Sequence, residues 1–70
     1  MEKYMVQDLF TGNYLTISGD GNNYIFVNKP DNYRDFLRLC YFMNYQDAEY
    51  VILNKIKDLP VLPTIIKVFV

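Results

Sequence analysis

The chain contains no histidine, no tryptophan and a single cysteine, Cys40. Without histidine, neither a Ser-His nor a Cys-His nucleophile pair forms, which removes common routes to covalent catalysis. One cysteine allows no internal disulfide, and the usual Cys/His zinc set is out of reach. Glycine and proline number three each. No Gly- or Pro-rich linker divides the chain, so its 70 residues read as one domain, 1–70. The phosphate-cradling run G-x-x-x-x-G-K-[ST] is absent. Gly19-Asp20-Gly21 lacks the third glycine and the following helix of a dinucleotide loop, and reads as a hairpin turn. No apolar run is long enough to cross a bilayer, because residues 59–70 are interrupted by Pro60, Pro63 and Lys67. The opening residues carry Glu2, Lys3, Gln7 and Asp8 in place of the apolar stretch of a secretory signal. With the lone cysteine, this makes a reducing, cytoplasmic location the expectation. Neither sign of charge dominates: seven basic against eight acidic residues leave −1. That balance disfavours electrostatic nucleic-acid binding and also a dense acidic face that would mimic DNA.

What is abundant is apolar and aromatic surface, 51% and 17% of the residues. A domain this small hides only roughly 60% of the surface its unfolded chain exposes. Some of these side chains must therefore reach the surface. Dense packing and association, either with a second copy or with a permanent partner, are the supports left to it.

Turn signals cut the chain into short elements. Tyr4-Met5-Val6-Gln7-Asp8 and Tyr14-Leu15-Thr16-Ile17-Ser18 flank Leu9-Phe10-Thr11-Gly12-Asn13, the pattern of a β-hairpin with Gly12 at a positive-φ bulge position. Leu15 and Ile17 alternate with Tyr14, Thr16 and Ser18. The cluster Gly19-Asp20-Gly21-Asn22-Asn23 marks a second turn, and Tyr24-Ile25-Phe26-Val27 a third strand of an antiparallel meander. Pro30 and Asp31 open the next element, with Asp31 as cap or first-turn residue. Tyr33, Phe36, Leu37, Cys40 and Tyr41 have helical spacing, yet residues 39–43 form an unbroken apolar run. A short helix to about Leu37 followed by a strand is preferred, with one helix over 31–43 as the alternative. Asn44 as N-cap, with Asp47 three residues on, predicts the main helix over 45–58. Its apolar stripe is Ala48, Val51, Ile52, Ile56 and Leu59; Lys55 and Lys57 lie near its end, and Pro60 stops it. Residues 64–70 then predict a last strand, apolar on both faces except at Lys67 and so central in the sheet or buried against another chain. The fold class is α+β: a small antiparallel sheet, made of the N-terminal hairpin and meander plus the C-terminal strand, packed against one main helix, with a short second helix.

Chemistry-bearing residues are sparse. Asp31 and Asp35 stand four apart, the spacing of a solvated helix face more often than of a metal or acid–base pair. Asp20, Asn22 and Asn23 lack the order of a calcium loop. Cys40, among Leu39, Tyr41 and Phe42, reads as an inert apolar thiol, with Arg38 its nearest basic neighbour in sequence. The expectation is no enzyme, no catalytic residue, no cofactor and no metal.

The seven tyrosines are the most informative feature. Completing a small core is the bland role for each. Tyrosine is also enriched at protein interfaces, and Tyr4, Tyr14, Tyr24, Tyr33 and Tyr45 are the candidate partner-binding residues. A third role is base stacking on a sheet face by Tyr4, Tyr14 and Tyr24, which normally needs a basic groove that Lys3, Lys29, Arg34 and Arg38 are too dispersed to promise. The leading reading is a small protein-binding regulator. The alternatives are a single-stranded nucleic-acid binder and a structural oligomer subunit held by the C-terminal strand.

The opening run Tyr4-Met5-Val6-Gln7-Asp8-Leu9-Phe10-Thr11-Gly12-Asn13-Tyr14-Leu15, with the helix start Gln46-Asp47-Ala48-Glu49, resembles short bacteriophage and mobile-element accessory proteins. Those open with an aromatic residue, two apolar residues and an acidic residue, then Thr-Gly-x-Tyr-Leu. The resemblance implies a phage-encoded inhibitor of a host protein, an immune-defence protein among the candidates, acting in the host cytoplasm. It carries over no site residues.

Overall fold

A computed structural model describes residues 1–36 and 38–69. Three strands come first: β1 (Glu2–Asp8), β2 (Tyr14–Ile17) and β3 (Tyr24–Val27). Two helices follow, α1 (Tyr33–Phe36) and α2 (Tyr45–Asn54), and then β4 (Pro63–Phe69). The strands form one antiparallel sheet in the order β3-β2-β1-β4. This is the expected α+β fold, with the hairpin, the meander and the main helix in place.

Period-two alternation along β1 feeds two separate cores. Val6 points to the face covered by α2, where it meets Leu15, Ala48, Val51 and Ile56, with Tyr4, Tyr24, Phe26 and Ile65 packed around them. Met5 points to the opposite face and packs with Tyr14 and Leu39, flanked by Phe36, Tyr41, Ile66 and Val68. Both faces of the sheet are therefore covered, one by α2 and the other by α1 and the segment after it.

The 39–43 run forms neither a continuous strand nor a helix. Arg38 N–H donates to Asp35 O and Leu39 N–H to Phe36 O, turns that close α1 and drop Leu39 into the second core. Beyond that, Phe42 alone pairs with the sheet, exchanging backbone hydrogen bonds of 2.9 and 2.7 Å with Tyr4. It finds a place there because β2 meets β1 only at the Gln7–Tyr14 pair, which leaves the middle of β1 open on that side. The predicted end of the first helix at Leu37 lies outside the described residues. Asn32, not Asp31, caps α1: its Oδ1 accepts from Asp35 N–H (2.8 Å) while its amide donates to the Asp35 carboxylate (2.9 Å).

Asn44 caps α2 as its sequence position implies, its Oδ1 accepting from Asp47 N–H at 2.9 Å. The helix stops at Asn54, short of the predicted 58. The Val51 carbonyl takes both Lys55 N–H and Ile56 N–H, so the last turn widens to an i+5 bond and turns Ile56 into the core before Pro60 is reached. Leu59, predicted to extend the apolar stripe, is 40% exposed.

β4 is an edge strand and not a central one. It pairs with β1 from Glu2–Phe69 to Asp8–Pro63, and no strand lies beyond it among the described residues. Ile65 packs against one core and Ile66 and Val68 against the other, which explains its apolar side chains on both faces except the exposed Phe69. The predicted last residue, Val70, is outside the described set.

Candidate functional site

β1 ends at Asp8, which is only 3% exposed although a loop begins immediately after it. A buried carboxylate is costly unless it is fully hydrogen-bonded. Asp8 Oδ1 accepts from Phe10 N–H (3.0 Å) and from Leu62 N–H (3.0 Å), and Oδ2 accepts from the Thr11 hydroxyl (2.8 Å). The Leu62 N–H foremost holds the Asp8 carboxyl below its ordinary value of 3.8, against the opposing effect of burial; the Thr11 hydroxyl and the Phe10 N–H add to it. One side chain thus ties the β1–β2 loop to the loop that precedes β4.

The backbone around this knot is closed as well. Gly12 N–H donates to Asp8 O (2.7 Å), Asp8 N–H to Asn13 O (2.8 Å), and Leu9 N–H to Leu62 O (2.9 Å). Gly12 sits at φ +78°, the left-handed conformation that the bulge needs and that other residues adopt at a cost. Asn13 N–H reaches the Thr11 hydroxyl (3.1 Å), and the Gln7 amide reaches Gly12 O (3.2 Å).

The side chains carried by these tied loops point into solvent. Phe10 is 72% exposed, Leu9 59%, Leu62 47% and Leu59 40%. Polar atoms join the two loops, and the apolar side chains they carry stay exposed. Such a surface loses little ordering entropy on docking, and covering a large apolar side chain completely contributes at most about 1.5–3 kcal/mol.

The candidate tyrosines do not share one surface. Tyr14 is buried and stacks edge-on against Phe36, with ring centroids 5.4 Å apart. Tyr4 and Tyr24 are half-buried on the opposite face, and Tyr4 meets the ring of Tyr45 at 6.1 Å. Tyr4, Tyr14 and Tyr24 therefore lie on two covered faces and make no common stacking platform. Tyr33 and Tyr45 are exposed on different helices, and Tyr33 lines an open groove of about 380 Å³ with Lys29, Asp31 and Phe36. Tyr50, which the sequence reading left out, is 57% exposed on α2. Tyr41 is half-buried with the Lys3 ammonium 4.0 Å from its ring centre.

Among the described residues, no three cysteine, aspartate or glutamate side chains converge as a metal site would need. Asp31 is exposed, and Asp35 is engaged by Asn32 and, at 3.9 Å, by Arg38. Cys40 is half-buried, and burial pushes its thiol pKa up, away from the reactive thiolate. Asp20 accepts from the Ser18 hydroxyl and from Asn22 N–H (3.0 Å), bonds that organise the turn around Gly21. No helix among the described residues is long and apolar enough to cross a membrane.

Sequence reasoning treated residues 9–13 as a turn and passed over Leu9 and Phe10 as a surface. The available signal was two adjacent large apolar residues inside a turn, matched by the apolar–proline run Leu59-Pro60-Val61-Leu62-Pro63. The bond from Asp8 to Leu62, 54 positions apart, has no local signature. Compared with family models, curated proteins and solved structures, the chain matches none.

Proposed function

We propose that this chain is a small non-enzymatic regulator that docks onto another protein through the apolar tip formed by Leu9, Phe10, Leu59 and Leu62. The observation that carries this reading is the contrast at the tip: a backbone held by several hydrogen bonds and tied by the buried Asp8 displays Phe10 and Leu9 to solvent. Exposed apolar side chains on ordered loops suit a partner better than they suit water. The resemblance to phage and mobile-element accessory proteins favours a host protein as that partner and inhibition as the outcome.

The test is a capture from bacterial lysate with nuclease present, comparing the wild-type chain with Phe10→Ser. Phe10 is largely exposed, so the variant is expected to fold normally. A host protein enriched by the wild type and depleted at least tenfold by Phe10→Ser supports the reading. Capture that is indifferent to Phe10, or no capture at all, removes it.

A further inference from the structure

β4 is a seven-residue edge strand. Which of its backbone groups face outward follows from its neighbour. Tyr4 exchanges both of its backbone hydrogen bonds with Phe42, and Asp8 directs its N–H to Asn13 and its carbonyl to Gly12. Neither residue has these groups left for β4. Antiparallel ladders alternate, so the β4 residues opposite Glu2, Tyr4, Val6 and Asp8 turn their own groups away from β1. These are Phe69, Lys67, Ile65 and Pro63. Among the described residues no strand pairs with this edge, which therefore presents the N–H and C=O of Ile65, Lys67 and Phe69, and the carbonyl of Pro63.

Long apolar edges are usually guarded by charge or proline. Here Pro63 occupies an outward position at the strand's first residue, where its missing N–H breaks no bond to β1. Lys67 is the only charged residue of the strand, and its ammonium lies 3.7 Å from the carboxylate of Glu2 in the same chain. The edge carries little uncompensated charge to repel another strand. At its end, Phe69 is 70% exposed.

We propose that two copies of this chain join edge to edge through β4, antiparallel about a twofold axis at Ile66, making one sheet continuous across the pair. Three independent requirements select this register. It overlaps the whole of Pro63–Phe69 with itself. It sets outward-facing residues opposite one another, Ile65 against Lys67 of the second copy and Phe69 against Pro63. It keeps the two lysines out of direct opposition, whereas a twofold axis at Lys67 would place ammonium against ammonium. Each Ile65–Lys67 pair then exchanges two amide hydrogen bonds, and each Phe69–Pro63 pair makes one. The exposed Phe69 ring comes to lie over Pro63 of the second copy. Ile66 meets its own symmetry mate in the close, non-hydrogen-bonded pair, with Cα atoms about 4.5 Å apart.

Sedimentation velocity on the full chain across a concentration series, together with directed cross-linking, tests this. The expected result is a concentration-dependent dimer that persists in high salt. In a Cys40→Ser background, Ile66→Cys is expected to give a disulfide-linked dimer on mild oxidation, since that separation suits the bond. Lys67→Cys is expected to give far less. Ile65→Pro, which removes an outward N–H, is expected to yield a monomer with an unchanged circular dichroism spectrum. A wild-type chain that stays monomeric at every concentration overturns the proposal. So does a dimer in which Lys67→Cys links more readily than Ile66→Cys. The surface is distinct from the Phe10 tip, so Phe10→Ser is expected to remain dimeric, and the two readings fail separately.

Discussion

Two turns of this molecule use the same chemistry to opposite ends. In the β1–β2 loop, Asp8 accepts the Phe10 N–H two residues on, and Gly12 stands at φ +78°. In the β2–β3 loop, Asp20 accepts the Asn22 N–H two residues on, and Gly21 stands at φ +76°. Both carboxyls are held below their ordinary value, Asp8 chiefly by the Leu62 N–H and Asp20 chiefly by the Ser18 hydroxyl. The difference is reach. Asp20 is exposed and bonds only within its own turn, whereas Asp8 is buried and also takes an N–H from 54 positions away. The local turn shapes only itself. The long-range one fixes two loops against each other and thereby holds a group of apolar side chains in the open.

The largest expected effect that separates the turns is Asp8→Ala. It leaves the Phe10 and Leu62 N–H groups without their acceptor in a part-buried site. A loss of roughly 10 °C in Tm is expected by calorimetry, against a clearly smaller loss for Asp20→Ala, whose partners lie in its own exposed turn. Equal losses would break the comparison. The glycines sharpen it from the other side. A Cβ on Gly12 or Gly21 meets nothing within 4 Å, so only the backbone conformation is penalised. Gly12→Ala and Gly21→Ala are each expected to cost about 1 kcal/mol, and alike. A cost several times larger at one of them would mean that the turns differ in backbone and not merely in reach.

Acid gives a third comparison. A carboxyl held below its unfolded value contributes stability that is fully present above about pH 4 and is lost as pH falls through the depressed folded value. Urea unfolding between pH 5 and pH 2 is expected to show this decline in the wild type. In Asp8→Asn the decline is expected to be shallower, and in Asp20→Asn shallower by a smaller margin. The smallest expected effect on stability is that of Phe10→Ser, within about 0.5 kcal/mol of wild type, as for most exposed positions.

What the sequence made legible was mostly local. Gly12 and Gly21 announced their turns, Asn44 its cap, and the alternation around Leu15 its strand, because each signal is complete within a few residues. Residues 39–43 were ambiguous because their conformation is set by partners elsewhere: Leu39 by the second core and Phe42 by a gap beside Tyr4. The apolar character of β4 pointed to a strand either central in the sheet or buried against another chain, and the edge position excludes the first. The same character arises at an edge when both faces of the sheet are covered. For the candidate site, the tyrosines drew attention by number, but three of the five chosen spend their rings on the core. Leu9 and Phe10 looked like ordinary turn residues, since nothing nearby in sequence reports that Asp8 will fasten that turn to Leu62.

The central claim is that Asp8 locks the tip, and amide hydrogen exchange tests it most directly. The Leu62 and Phe10 N–H groups are expected to exchange far more slowly than that of Asn22, with protection approaching that of the β1 strand, and to lose it in Asp8→Asn. Exchange of Leu62 as fast as that of Asn22 in the wild-type chain would contradict the account.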